Sequence, residues 1–151
     1  MTPTLQPGGR FVGREHHFPV RIYFEDTDFS GLVYHANYLR YMERARSDML
    51  KCVGIDQRAV FDAGEGVYAV SELSIKYRRP ARFDDALLVV STVEQLGAAT
   101  VVIHQRVMLD DETLTDARVV AAFLSREGRP RRQPKPWISA FEPLLPKETS
   151  H

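Results

Sequence analysis

Glu25, Asp26 and Asp28 stand just ahead of Ser30, Gly31 and His35, all between a β-rich stretch and the start of a helical pattern. Carboxylates and a histidine at such a junction suggest two kinds of chemistry. One is calcium binding. Asp26, Asp28, Ser30 and Gly31 fit positions 1, 3, 5 and 6 of an EF-hand loop, and Val33 fits the apolar position 8. The match then breaks down, because position 12 is Asn37 instead of a bidentate Glu and a strand precedes the loop. The other is acid–base or nucleophilic catalysis. Free N–H groups and the positive dipole end at a helix start can stabilise a developing oxyanion. A carboxylate upstream can then activate water or attack a carbonyl carbon. The same residues also suit a purely structural role, satisfying turn amides ahead of a helix.

The other reactive side chains offer less. Glu43 is a candidate second carboxylate, but its spacing to Arg46 favours an ion pair. Cys52 falls at the C-terminal end of the helix, where the dipole disfavours a thiolate, and reads as packing. His16 and His17 show no third metal ligand in the sequence, so no metal site is expected. His104, beside Arg106, reads as a surface or interface residue. There is no Gly-x-Ser-x-Gly elbow, Walker A motif or Gly-x-Gly-x-x-Gly fingerprint.

The elements that position these residues follow from periodicity. Phe18 to Phe24 predicts a strand. From about Asn37 to Val53 the period is helical: Tyr38, Tyr41, Met42, Ala45, Met49 and Cys52 share one stripe, with Asn37 as N-cap and Gly54 just past the end. A second flank carries Leu39, Glu43, Arg46 and Leu50, an apolar pair framing opposite charges that suggests a partner surface. After a polar connection over Ile55 to Gly66, four strands are predicted: Val67 to Arg78, Ala86 to Gln95, Thr100 to Leu109 and Thr115 to Ser125. Their turn spacing, with no helical period between them, indicates an antiparallel meander, and the whole an α+β domain with one helix on the sheet. Residues 1–17 read as a poorly ordered lead-in, residues 18–136 as the domain, and residues 137–151 as a tail with an apolar cluster able to dock as one helical turn.

The chain has 151 residues and a formal net charge of zero, 20 Lys and Arg balancing 20 Asp and Glu. That length suits one domain with a real core. Neutrality argues against a protein that coats nucleic acid or anionic membrane. The lone cysteine precludes an internal disulfide framework and suits a reducing compartment. With neither a signal peptide nor a membrane span legible, a cytoplasmic protein is expected. Basic residues nevertheless cluster twice: Lys76, Arg78, Arg79 and Arg82, and then Arg126, Arg129, Arg131, Arg132 and Lys135 against Glu127 alone.

The run Tyr23-Phe24-Glu25-Asp26-Thr27-Asp28-Phe29-Ser30-Gly31-Leu32-Val33-Tyr34-His35-Ala36-Asn37-Tyr38, followed by Glu43-Arg44-Ala45-Arg46, resembles the signature of hotdog-fold acyl-CoA thioesterases. The branch is that of the 4-hydroxybenzoyl-CoA thioesterases, and Tyr34-His35-Ala36 leans toward its Tol–Pal-associated, YbgC-like members. Tyr77, Pro80-Ala81, Asp84-Asp85 and Gly128-Arg129-Pro130 extend the likeness, which spans about Val20 to Pro136. It implies a five-stranded antiparallel sheet wrapped around one long central helix. It implies Asp28 as catalytic nucleophile or general base, Gly31 as the turn into the helix, and the His35 backbone N–H as the donor polarising the thioester carbonyl. Tyr38 would line the acyl pocket. Lys76, Arg78, Arg79, Arg129 and Arg131 would contact coenzyme A phosphates, for which forked guanidinium donors are suited.

The reaction so implied is acyl-CoA hydrolysis, with no cofactor beyond the coenzyme A of the substrate, no nucleic-acid partner and an acyl carrier protein as a further possible partner. A homodimer or homotetramer is expected, since the protomer has a sheet edge to pair. Two rival functions remain: a hotdog hydratase or dehydratase acting on enoyl or 3-hydroxyacyl thioesters, and a noncatalytic acyl-CoA or acyl-carrier-protein binding module.

Overall fold

Alternation and helical period sort this chain into one sheet and one long helix, and the structure, a computed structural model, describes residues 8–147 of it. The elements run β1 (Arg10–Val12), β2 (Glu15–Arg21), α1 (Ala36–Cys52), α2 (Gln57–Asp62), β3 (Val67–Tyr77), β4 (Ala86–Leu96), β5 (Thr100–Leu109), β6 (Glu112–Leu124) and α3 (Lys135–Phe141), with short 3₁₀ turns at Phe24–Asp26 and Glu142–Leu144. The sheet is antiparallel in the order β1-β2-β4-β5-β6-β3. It has six strands where five were expected. The additional one is β1, which pairs with the start of β2 through Arg10↔His17, Phe11↔His16 and Val12↔Glu15. The lead-in expected over residues 1–17 is therefore strand from Arg10; residues 1–7 lie outside the described residues.

Helix α1 lies on one face of the sheet. Its stripe of Tyr38, Tyr41, Met42, Ala45 and Met49 is buried, and Leu50, placed by periodicity on the flank, is buried too. The stripe packs against Val20, Ile22, Leu87, Val89, Val107 and Ala117 at one end. At the other end, Met49 and Leu50 meet Val93, Val101, Ile103, Phe123, Trp137 and Phe141. Part of the chain placed in the tail forms a helix: α3 begins at Lys135, and Trp137 packs on Tyr68 and Phe123 with ring centroids 5.5 Å apart; residues 148–151 lie outside the described residues.

A buried polar contact fixes the helix on the sheet. The Gln105 amide donates to the Met42 carbonyl at 3.0 Å and to Ser91 Oγ at 3.0 Å, while its oxygen accepts from Arg46 at 2.8 Å. Periodicity could not single out Gln105, because it reads as one more residue of an alternating strand.

Two local features depart from the sequence expectation. The connection over Ile55 to Gly66 contains α2, capped by the Asp56 carboxylate accepting from the Ala59 N–H. In β3 the register slips at Ser71, between the pairs Val70↔Ala121 and Glu72↔Val120. The bulge inserts one residue, so Tyr68 and Val70 share a face with Leu73, Ile75 and Tyr77 instead of lying opposite them. No helix of the described residues is long and apolar enough to cross a membrane.

Candidate active site

The loop before α1 is held by its own backbone. Thr27 and Val33 form an antiparallel bridge, Asp28 N–H donates to the Leu32 carbonyl at 2.9 Å, and Gly31 N–H donates to the Asp28 carbonyl at 3.0 Å. This tight turn places Gly31 at φ +79°, the left-handed region where a Cβ is strained. The turn projects Asp28 outward. Asp28 Oδ1 accepts from the Ser30 amide at 2.9 Å and from the Ser30 hydroxyl, and these contacts hold its carboxyl below the usual carboxylate range. Asp28 is exposed and ionised at neutral pH, and its second oxygen has no hydrogen-bond partner among the described residues.

Asp26 does different work. Its carboxylate accepts the Tyr23 N–H at 2.9 Å, and its carbonyl accepts both the Tyr34 N–H at 3.0 Å and the Asn37 side-chain amide at 2.9 Å. Asn37 is thus not the N-cap. The cap lies two residues earlier, at His35, without a side-chain cap, helix α1 starts at Ala36, and Asn37 stitches the helix to the loop. Of the two aspartates, Asp26 braces the loop and Asp28 keeps one carboxylate oxygen unengaged.

At the helix start, the N–H groups of His35 and Ala36 donate to no partner among the described residues. They are the orphan donors of a helix N-terminus. The His35 carbonyl accepts from the Tyr77 hydroxyl at 3.2 Å, and its ring stands 6.1 Å from the Tyr77 ring and 4.5 Å from that of Tyr34. Tyr38 is buried, and its hydroxyl accepts the Ala81 N–H at 3.0 Å, which ties the helix to the loop after β3.

These residues line two clefts. Asp28 and Gly31 lie in an open cleft of about 570 Å3 with Phe24, Thr27, Phe29 and Ser30. His35 lines a smaller one of about 210 Å3 with Val33, Tyr38, Tyr77, Arg78 and Arg79. Arg78 and Arg79 therefore lie at the helix start, and each also reaches a carboxylate: Arg79 to Glu112 at 2.8 Å, Arg78 to Asp116 at 3.9 Å. Lys76, exposed on β3, pairs in register with Asp116.

Arg129 and Arg131 do not come near His35 within one chain. They follow β6, where Leu124 bridges Pro130 and pairs with Val67, the first residue of β3; the Arg131 guanidinium donates to the Glu65 carbonyl at 2.7 Å. Tyr77, beside His35, is the last residue of that 11-residue strand. At roughly 3.3 Å per residue, about 30 Å separates the two ends.

A further cluster gives His16 companions from α1 that the sequence did not show. His16 is fully buried, its Nε2 lies 2.8 Å from Asp48 Oδ2, and Cys52 Sγ lies 3.7 Å from the same oxygen. Three ligand types thus converge. Asp48, however, is already engaged, accepting the Gly8 N–H at 2.8 Å and the Gly9 N–H at 3.0 Å besides His16. Burial lowers the His16 pKa and raises that of Cys52, favouring neutral forms of both. The arrangement is a clamp of β1 and β2 onto α1.

A family model described as the thioesterase superfamily matches residues 30–115, more than half of the chain. The chain belongs to the thioesterase superfamily. The match takes in Gly31, His35 and Tyr77 and begins just after Asp28. Acyl-CoA thioesterase YbgC of Haemophilus influenzae is 37% identical over 128 residues, 84% of this chain and 94% of that protein. A probable thioesterase from Bartonella henselae superposes with a TM-score of 0.75 at 34% identity, covering 80% of this chain and 99% of that one. A 1,4-dihydroxy-2-naphthoyl-CoA thioesterase from Synechocystis, 22% identical, shares the fold at a TM-score of 0.78 over 84% of this chain and 95% of its own. The α+β architecture is thus a hotdog fold, and this superfamily member is a YbgC-like thioester hydrolase.

Proposed function

We propose that the chain hydrolyses acyl-CoA thioesters to a free carboxylic acid and coenzyme A. One observation carries the mechanism: an ionised carboxylate with a free oxygen, Asp28, stands on the short braced loop that ends at the unpartnered amides of His35 and Ala36. Those amides suit the oxygen of a polarised thioester carbonyl. Asp28 either takes a proton from the attacking water or attacks the carbonyl carbon itself, forming an anhydride that water opens. In both routes the C–S bond breaks, coenzyme A leaves as thiolate and is protonated by solvent, and the acyl carbon gains the water oxygen. No cofactor is needed. The YbgC relatives, named for acyl-CoA thioester hydrolysis, support the substrate class.

The proposal includes a homodimer, with a tetramer as its doubling. β3 is an open edge of the sheet, and Val67, Val70, Leu73 and Tyr77 along it are exposed. Two-fold antiparallel pairing of β3 with its copy sets the first residues of one strand beside the last residues of the other. The partner's Arg129 and Arg131 would then flank Arg78, Arg79 and His35 and complete a phosphate-binding rim, with Lys76 alongside. Tyr38, behind the helix start, forms the floor of that cleft. An acyl carrier protein could deliver the same acyl group, and the cytoplasm is the compartment this reading assigns.

The test is thiol release across acyl-CoA chain lengths for the wild type and Asp28→Asn. Loss of at least about two orders of magnitude in kcat, with folding intact, is expected. Near-normal turnover by Asp28→Asn would overturn the assignment. Hydration of crotonyl-CoA without thiol release would point to a hydratase, and acyl-CoA binding without either reaction to a binding module.

A further inference from the structure

Exposed aromatic side chains gather around the loop of Asp28. Phe29, at the tip of its turn, is fully exposed, and Tyr23, Phe24 and Phe83 are more than half exposed. Phe24 and Phe83 meet edge to face with ring centroids 5.9 Å apart, and the Leu32↔Arg82 bridge joins the two loops that carry them. Single apolar residues on a surface are ordinary, but an aromatic patch beside a reactive group marks a binding surface. The cleft of about 570 Å3 that contains Asp28 is walled by Phe24 and Phe29. Both hydroxyls in it are engaged within the loop: Thr27 Oγ1 donates to the Phe24 carbonyl at 2.6 Å, and Ser30 Oγ donates to Asp28. No cationic residue lines this cleft among the described residues, and its one charge is the Asp28 carboxylate. The cleft at His35 differs, because Arg78 and Arg79 stand in its wall.

A bound acyl-CoA has to lie across both clefts. The reading given above puts its carbonyl carbon between the unengaged oxygen of Asp28 and the amides of His35 and Ala36. The two groups on that trigonal carbon, the acyl chain and the sulfur, point away from each other, so one enters each cleft. The coenzyme half carries phosphates, which a guanidinium recognises and a carboxylate repels. The acyl half is uncharged and gains from aromatic surface. Charge and polarity together set the direction in which the substrate lies.

We propose that the cleft of Phe24 and Phe29, with Phe83 backing Phe24, is the acyl-chain site, and that it selects large apolar acyl groups over short ones. The coenzyme then leaves through the cleft floored by Tyr38, and the acyl group lies away from that tyrosine. This rests on the acyl-CoA reading above and adds to it the substrate class and the residues that set it.

Binding of S-decyl-CoA and S-ethyl-CoA to the full chain, measured by calorimetry, tests the site without turnover, since a thioether is not hydrolysed. Each methylene laid on an apolar wall tightens binding about fourfold until the chain outgrows the cleft, so wild type should prefer S-decyl-CoA at least about a hundredfold. Phe29→Ala replaces a fully exposed side chain and leaves the fold intact. It should lower that preference at least about fivefold, with the affinity for free CoA held within about twofold. Arg79→Ala should do the reverse, weakening free CoA and keeping the preference. No preference in wild type, or a preference that Phe29→Ala leaves unchanged, overturns the acyl site. Weaker free-CoA binding by Phe29→Ala with the preference intact would give the aromatic patch to the coenzyme's base, and overturns it too. A preference that responds as expected in a chain that releases no thiol from any acyl-CoA overturns only the catalytic reading.

Discussion

The Tyr77 hydroxyl donates to the His35 carbonyl at 3.2 Å, tying the last residue of the edge strand to the first turn of the long helix α1. The same carbonyl accepts the Tyr38 N–H at 3.3 Å. The peptide at the helix start is thus held from two sides, and its free amides keep one direction.

Tyr77→Phe removes that hold and little else. A typical net hydrogen bond contributes about 0.5–1.5 kcal/mol, so kcat should fall about three- to tenfold with KM for acyl-CoA nearly constant. Steady-state kinetics by thiol release checks this. A rise in KM alone would make Tyr77 a binding residue instead.

Ser30 keeps Asp28 ionised to lower pH than an ordinary aspartate, through its hydroxyl first and its amide second. Activity that needs the carboxylate form is therefore retained as pH falls and is lost only below the usual aspartate range. Ser30→Ala removes the larger contribution, so the acid limb of kcat/KM should move upward while the rate at neutral pH changes little. A pH–rate profile of the two proteins decides it.

If Arg129 and Arg131 act on the partner's site, their loss and the loss of Asp28 complement each other. R129A/R131A should raise KM with kcat kept, and Asp28→Asn should abolish turnover. Mixed dimers of the two contain one site with both defects and one with neither. Mixing should thus restore turnover with wild-type KM; a persistently raised KM would place the arginines in the same chain's site, and an unchanged KM in R129A/R131A itself would place them outside any site.

The clamp of Asp48 on Gly8, Gly9 and His16 is a stability element. Asp48→Ala leaves three donors without their acceptor and should cost about 1–3 kcal/mol in urea unfolding, with kcat unchanged. Burial depresses the His16 pKa below 6.5. The unfolded chain therefore binds that proton first, and wild-type stability should fall as pH drops through 6.5. His16→Phe should lessen that dependence.

Much of the fold was legible because it rests on local period. Helix α1 and the four later strands came from alternation and the 3.6-residue stripe, within a few residues of their ends. What period could not show came from chain segments meeting at a distance. β1 is three residues long with no pattern of its own and exists because β2 offers it an edge. The bulge at Ser71 leaves the residue types unchanged while turning Tyr68 and Val70 to the other face.

For the site, the sequence by itself determined the placement: residue types and spacing put carboxylates and His35 at a helix start with nothing nonlocal needed, while the choice of Asp28, Gly31 and His35 for chemistry comes from the resemblance to hotdog thioesterases. The tertiary structure alone decided the roles around them. It assigned Asp26 and Asn37 to bracing, because each carbonyl and amide must find a partner somewhere in the fold. It brought Tyr77 to His35 and sent Arg129 and Arg131 to the far end of β3. It also supplied His16 with Asp48 and Cys52 from one face of α1, a convergence that the sequence, read along one dimension, has no way to express.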